Sequence, residues 1–457
     1  MKKDIVSIVK NCKDFFNTNT TKDYNFRLAQ LKKLQNALNS NEKELLNALY
    51  ADLHKTNFEA YFSELAIVKD ELDFAIKHIK KWMRTQRVPT PIAHFKSVST
   101  ILYEPFGTVL IMSPWNYPLN LTLAPLIGAI AAGNCSIVKP SNYSPAVSAA
   151  LDKIISENFP PEYISVILGG REENGALLEQ RFDYIFFTGG TEVGKLVMQS
   201  AAKYITPVTL ELGGKSPCIV EKSANLKIAA RRLAFGKYLN AGQTCVAPDY
   251  LLIEKEIKEP FIEELRNVLK EFFPTETYLQ MHFPHIVNEK HFTRLMNLIE
   301  GEKIITGGNG NKEQKFIEPT ILDNINFESK IMQEEIFGPI LPVITFDSLD
   351  TIIAQIKMRE KPLALYIFTK NKQVEKKILT EISFGGGCIN DTIVHLATNY
   401  LPFGGVGYSG VGKYHGFESF KTFSNTKSIL KKSVFPDIGV RYHPYSEKKL
   451  NLIKKLM

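Results

Sequence analysis

The chain predicts an α/β protein built as two doubly wound α/β domains in series, with a small separate β element. Three observations predict it. From about residue 107 to 211, short apolar runs alternate with helical runs, as in a parallel sheet covered on both faces. The same rhythm resumes after about residue 215. Two Pro/Gly-marked, β-like segments, near 88–106 and 398–425, belong to neither run.

The first eighty or so residues read as helices. Between Phe26 and Leu49, Leu28, Leu31, Leu34 and Leu38 recur at spacings of three and four, with lysines between them. Tyr61 to Trp82 continues in that style until Val88-Pro89-Thr90-Pro91 breaks it, and Ser97 to Tyr103 then reads as β. Next come a strand at Gly107–Met112, a helix at Leu121–Ala132, a strand at Ser136–Val138 and a helix at Ala146–Ser156. Strands at Tyr163–Leu168 and Tyr184–Phe187 complete the first run. In the second run, Lys215–Val220, Tyr250–Ile253, Gly338–Ile344 and Ala364–Phe368 read as strands, with helices such as Ile257–Phe272 between them.

Composition narrows the function classes. With 457 residues, 44% hydrophobic and 23% charged, the chain is an ordinary globular one of two to four domains, not a disordered, collagenous or disulfide-stapled one. Five cysteines without a C-x-x-C pair predict free thiols in a reducing, cytoplasmic setting. The basic start Met1-Lys2-Lys3-Asp4 leads into no apolar run, so no signal peptide is expected. The stretch between Glu104 and Lys139 holds no charge, yet Pro114, Pro118 and Pro125 interrupt it. It reads as strand, loop, short packed helix and strand rather than a membrane span. The net charge of +8 is local: from Lys427 to Met457 there are eight basic residues against Asp437 and Glu447. The body is thus nearly neutral, which removes the main support for a nucleic-acid partner.

Several segments are able to carry chemistry, each with a plainer alternative. Tyr184 to Gly194 reads as a strand, a glycine turn (Gly189, Gly190) and a helix start with Gly194, a geometry that offers N–H groups to a pyrophosphate; its G-G-x-x-x-G spacing alone is weak. Glu211, before Gly213-Gly214, is a ribose ligand, a general base or a capping glutamate. Lys139, in Lys139-Pro140-Ser141, stands at the carboxyl end of a strand, as a ligand contact or a surface lysine. Among the thiols Cys245 is the poised one, in Gly242-Gln243-Thr244-Cys245, with Cys388 its rival. Asn116, between Pro114 and Pro118, suits an oxyanion-hole amide or a turn tie. His282, His285 and His291 lie close in sequence but have no accompanying ligand pattern, so no metal is expected.

Taken in order, Pro-Trp-Asn-Tyr-Pro, Ile-Val-Lys-Pro-Ser, Phe-Thr-Gly-Gly-Thr-Glu-Val-Gly, Leu-Glu-Leu-Gly-Gly-Lys-Ser-Pro, Gly-Gln-Thr-Cys, Gln-Glu-Glu-Ile-Phe-Gly-Pro and Leu-Pro-Phe-Gly-Gly-Val-Gly form a series. That series, over about residues 25 to 445, resembles the aldehyde dehydrogenase superfamily. The Gly404–Gly416 segment is most similar to its class 3, fatty-aldehyde branch. The resemblance implies NAD(P)-dependent oxidation of an aldehyde to the acid. It assigns Cys245 as the nucleophile forming a thiohemiacetal and then a thioester, Asn116 as the oxyanion-hole amide, and Glu211 as the base that activates water. It places Lys139 and Ser141 at the adenosine ribose, Gly189, Gly190 and Gly194 at the pyrophosphate, Glu335 at the nicotinamide ribose and Phe337 beside the nicotinamide. The family often has glutamate where this chain has Asn142, whose neutrality removes a charge that would repel the 2′-phosphate of NADP.

The resemblance also implies a division of the chain. Residues 1–85 and 107–211 form a Rossmann-like dinucleotide-binding domain, 212–397 the catalytic domain, 86–106 and 398–425 an oligomerisation β element, and 426–457 a basic tail. It points to a homodimer acting on medium or long aliphatic or aromatic aldehydes. A CoA-acylating dehydrogenase and a catalytically idle protein on the same fold are the rival readings. In the tail, Leu450, Ile453 and Leu456 fall at helical spacing beside lysines. That pattern suits a weak peripheral membrane contact or docking on a partner subunit.

Overall fold

The computed structural model describes residues 4–437 and 439–456; the basic residues Lys2 and Lys3 and the side chain of Leu456 lie outside the described residues. Helices Ile5–Asn17, Tyr24–Ser40, Glu42–Leu53 and Ala66–Trp82 lead the chain. The predicted run from Phe26 to Leu49 is two helices, because Asn41 leaves helical geometry and starts a second one. A π-helical turn, Tyr61–Leu65, joins the short helix Asn57–Ala60 to Ala66–Trp82.

The first sheet has six strands in the order Gly410–Val411, Val208–Glu211, Tyr184–Thr188, Thr108–Met112, Cys135–Lys139, Ile164–Val166. All but Gly410–Val411 run parallel. Its central strands are buried throughout, which explains why they read as unbroken apolar runs. The uncharged stretch resolves into the strand Thr108–Met112, the wholly buried 13-residue helix Asn120–Ala132 and the strand Cys135–Lys139. Among the described residues no helix is long and apolar enough to cross a membrane.

The second sheet has seven strands, ordered Lys303–Thr306, Thr320–Asp323, Ile340–Phe346, Tyr250–Glu254, Pro217–Val220, Ala364–Phe368, Gly386–Ile389. Only Lys303–Thr306 is antiparallel to its neighbour. A third, antiparallel sheet joins Gln86–Val88, Ser97–Pro105 and Ser424–Lys432.

Two features differ from the expected boundaries. Ser424–Lys432 pairs along its whole length with Ser97–Pro105, so the strand crosses the boundary drawn at residue 425. Its lysines read as a solvated tail because most of its side chains are exposed and no apolar face marks it. Within 398–425, Gly410–Val411 joins the first sheet instead, beside Glu211.

Candidate active site

The candidate residues of the first sheet leave the carboxyl ends of neighbouring parallel strands. Lys139 ends Cys135–Lys139, Asn116 follows Thr108–Met112, Gly189 follows Tyr184–Thr188, and Glu211 ends Val208–Glu211. That edge is where open α/β sheets bind ligands.

Cys245 reaches the site from the second sheet, on the loop between helix Leu226–Tyr238 and strand Tyr250–Glu254. The loop turns sharply: Asn240 and Ala241 hold left-handed backbone with φ of 53° and 51°. Gly242 follows at φ 71°, and a Cβ there would stand 2.2 Å from the Gly338 carbonyl oxygen. Glycine therefore lets the loop press against the Phe337–Gly338 backbone.

Asn116 is locked beneath this loop. Its side-chain Nδ2 donates to the Gln243 carbonyl at 2.9 Å, and Tyr117 shares a hydrogen bond with Thr244 at 2.7 Å. The Asn116 carbonyl accepts from Asn240 Nδ2 at 2.8 Å and from Lys55 Nζ at 3.0 Å. An amide nitrogen has two N–H groups, so one is spent on fixing its plane.

Cys245 is half-buried and opens onto a cavity of about 300 Å³. Apolar side chains, among them Phe62, Leu121, Phe235, Leu239 and Phe403, form most of its wall. Burial, helped by the carboxylates of Glu335 and Glu211, pushes the Cys245 thiol up, while the backbone N–H groups of Cys245 and Val246 oppose this. Glu211 is 3% exposed, and neither of its oxygens has a hydrogen-bond partner among the described residues. Burial raises its carboxyl well above the ordinary range, with Lys413 opposing. The rival thiol, Cys388, lies on strand Gly386–Ile389 against His395 at 3.6 Å and is absent from the lining of the Cys245 cavity.

A groove of about 1,100 Å³ is lined by Gly190, Thr191, Gly213, Gly214, Lys215 and Glu335, among others. Helix Thr191–Ala202 begins there, and a Cβ on Gly190 would meet nothing within 4 Å. Gly194 lies deeper, where a Cβ would stand 2.7 Å from Leu212 Cδ2, so helix and strand pack closely. Glu335 lies over Gly213, whose Cβ would fall 2.1 Å from Glu335 Oε2. Burial and the neighbouring Asp249 push the Glu335 carboxyl up to about 8. Asp249 holds this segment in place by accepting from Ile336 N at 2.9 Å and Lys215 Nζ at 2.5 Å. Phe337, at φ 51°, sets its ring edge-on to Trp115 at 5.4 Å and so links groove and Asn116 loop.

Lys139 stands at the carboxyl end of strand Cys135–Lys139 and outside the lining of this groove, with Nζ donating to the carbonyls of Pro140 at 2.8 Å and Gly169 at 2.7 Å. Burial lowers its ammonium to about 8. The Ser141 hydroxyl accepts from Tyr143 N at 3.2 Å, and exposed Asn142 lies beside Gly170. Bare backbone and a helix start in the groove, with a buried lysine at the carboxyl end of another strand of the same sheet, fit a dinucleotide.

The three histidines take different surroundings. His285 stacks on His54 at 3.9 Å, His282 packs on Tyr278, and His291 packs on Trp115. Among the described residues, no group of three or more side chains is arranged to hold a metal. His285 N donates to the Leu53 carbonyl at 2.9 Å, which ties this segment to the N-terminal helices.

The family model of the aldehyde dehydrogenase family matches residues 1–429. The chain belongs to the aldehyde dehydrogenase family. It is 49% identical to 4,4'-diaponeurosporen-aldehyde dehydrogenase of Staphylococcus aureus, over 95% of each chain. It is 44% identical to the dimeric NADP-preferring aldehyde dehydrogenase of Canis lupus familiaris, over 96% of this chain and 98% of that one. Its fold matches the substrate-bound state of Staphylococcus aureus AldH with a TM-score of 0.97 and 48% identity, covering 99% of each chain. The activity is thus aldehyde oxidation with NAD or NADP.

Sequence reasoning missed the buried polar network under the Cys245 loop. Lys55, Glu59 and Glu64 each bond to it or to its supports. Their spacing alone looks like a solvated face; the burial of Lys55 and Glu64 and the bond from Asn240 N to half-buried Glu59 distinguish them.

Proposed function

We propose that this enzyme oxidises medium or long aliphatic or aromatic aldehydes to carboxylic acids through a Cys245 thioester. The observation that carries this reading is the largely apolar cavity onto which Cys245 opens. Its volume of about 300 Å³ lies at the lower end of small-ligand sites, about 300–1,000 Å³. The name of the Staphylococcus aureus relative, a dehydrogenase of diaponeurosporen-aldehyde, supports an apolar substrate.

In this mechanism the Cys245 sulfur attacks the aldehyde carbon and its proton leaves. Glu211, itself raised by burial, is better matched to that proton than an ordinary carboxylate. The remaining Asn116 N–H and the Cys245 backbone N–H hold the oxyanion. Bound NAD(P) supplies the hydride acceptor. Glu335 and Phe337 would orient its nicotinamide end, Gly189, Gly190 and Gly194 would shape the turn for the pyrophosphate, and Lys139, Ser141 and Asn142 would hold the adenosine end. Loss of hydride from the oxyanion would leave a thioester, and Glu211 releases the thiol proton to solvent. Glu211 then takes a proton from water, whose attack frees the acid, and returns it to the Cys245 sulfur as the thiol. A CoA-acylating reaction needs no such base; NAD(P)H release from hexanal without CoA separates the two.

Asn142 supports acceptance of NADP. A kcat/KM series over aldehyde chain length, run with both cofactors, tests substrate and cofactor together. Rising kcat/KM up to medium or long chains is expected. A loss with each added carbon contradicts the substrate reading. A preference for NAD of roughly a hundredfold, about 2.7 kcal/mol, contradicts the cofactor reading.

The proposed assembly is a cytoplasmic homodimer. Ser424–Lys432 and Gly386–Ile389 each end a sheet with one edge unpaired among the described residues, which suits pairing with a second copy. In the tail, helix Glu447–Leu456 leaves Leu450 and Leu452 exposed, and Lys449 Nζ donates to the Tyr442 and Pro444 carbonyls. Docking on the partner subunit is the reading adopted. Stronger binding of the full chain than of a chain ending at Pro444 to anionic liposomes would instead show a membrane contact.

A further inference from the structure

Lys55, Glu64 and Glu59 lie under the Asn116 loop and take no part in the chemistry above. Lys55 and Glu64 are both 0% exposed and pair at 2.6 Å. Lys55 Nζ also donates to the Asn116 carbonyl at 3.0 Å and lies 4.1 Å from the Tyr117 ring centre. The second Glu64 oxygen accepts from Leu119 N at 2.9 Å and Asn120 N at 3.2 Å, where helix Asn120–Ala132 begins. Glu59 accepts from Asn240 N at 2.7 Å, holding the left-handed residue that turns the chain toward Cys245. Five residues apart on an α-helix, two side chains diverge by about 140°. The π-helical turn Tyr61–Leu65 widens the coil and brings Glu64 round toward Glu59's side.

A fully desolvated ion pair stabilises a fold poorly compared with apolar groups of the same volume. It orients its neighbours strongly, because each charge needs all its hydrogen bonds. Here those bonds end on the Asn116 carbonyl, on Leu119 and Asn120 just after it, and on the turn before Cys245. We infer that Lys55, with Glu64 and Glu59, is a positioning group. It fixes the Asn116 loop against the Cys245 loop so that their two N–H donors converge on one oxygen. The inference rests on the reading of Asn116 as the oxyanion donor.

A double-mutant cycle on the full-length enzyme tests it. Lys55→Met and Glu64→Gln are each made alone and with Asn116→Ala, and kcat and both KM values are measured. Each single variant is expected to lose about 10–100-fold in kcat, with the cofactor KM within about threefold. In the Asn116→Ala background the same substitution is expected to cost less than about threefold, since the donor it aims is gone. If Lys55→Met does not fold, Glu64→Gln, which keeps the side-chain shape, completes the cycle. Unchanged kcat in the single variants, or equal losses in both backgrounds, overturns the positioning role alone. Wild-type kcat in Asn116→Ala overturns the oxyanion reading and this inference with it.

Discussion

Two buried carboxylates, Glu64 under the Asn116 loop and Glu211 at the end of strand Val208–Glu211, are treated in opposite ways. Glu64 is saturated: it pairs with Lys55 and accepts two backbone N–H groups. Glu211 has no hydrogen-bond partner for either oxygen among the described residues. An unsatisfied buried polar group costs about 1–3 kcal/mol. The fold therefore invests hydrogen bonds under the Asn116 loop and leaves unpaired the carboxylate to which the proposed mechanism assigns the proton transfer.

Removing the proposed nucleophile breaks this comparison most completely. Cys245→Ala is expected to lower kcat for aldehyde oxidation by at least about 10⁴-fold with cofactor binding retained, as read by steady-state rates and cofactor fluorescence titration. Residual activity near wild type would transfer the role to another thiol.

Glu211→Gln sharpens the contrast by trading activity for stability. A loss in kcat of about 10²–10⁴-fold is expected. The native carboxyl keeps its proton to higher pH than the unfolded chain does, so it costs stability as pH rises from about 4.3 through the folded value. Denaturant melts of Glu211→Gln should show a gain of about 1–3 kcal/mol at a pH of about 8 that fades at about pH 4. The opposite change at Glu64, Glu64→Gln, should destabilise, since it weakens a satisfied network.

Smaller effects are expected at the ends of the two ligand spaces. Asn142→Glu should move the NAD-to-NADP ratio of kcat/KM toward NAD by about 10–100-fold, the worth of charged hydrogen bonds of about 1.5–3 kcal/mol. Ala397→Phe, on the cavity wall, should cut kcat/KM for long aldehydes relative to short ones by about 10-fold in the same assay.

How legible each region was follows from the same difference. The buried strands Thr108–Met112 and Ala364–Phe368 were readable because burial on both faces leaves a plain apolar run. Cys245, Asn116 and Glu211 stood out through their glycine and proline neighbours, which mark backbone that must turn or approach closely. The Ser424–Lys432 strand was hidden by its exposed lysines. Lys55, Glu59 and Glu64 were hidden for a different reason. Their partners are the backbone groups of Asn116, Leu119, Asn120 and Asn240, distant in sequence. No spacing rule records a side chain that answers to remote backbone.

The most direct test of the account is mass spectrometry of Glu211→Gln quenched after mixing with hexanal and cofactor. An acyl adduct on Cys245 should accumulate, with a burst of about one NAD(P)H per subunit, while the wild-type enzyme shows little adduct. An adduct on Cys388, or a burst with no adduct on any cysteine, would contradict it.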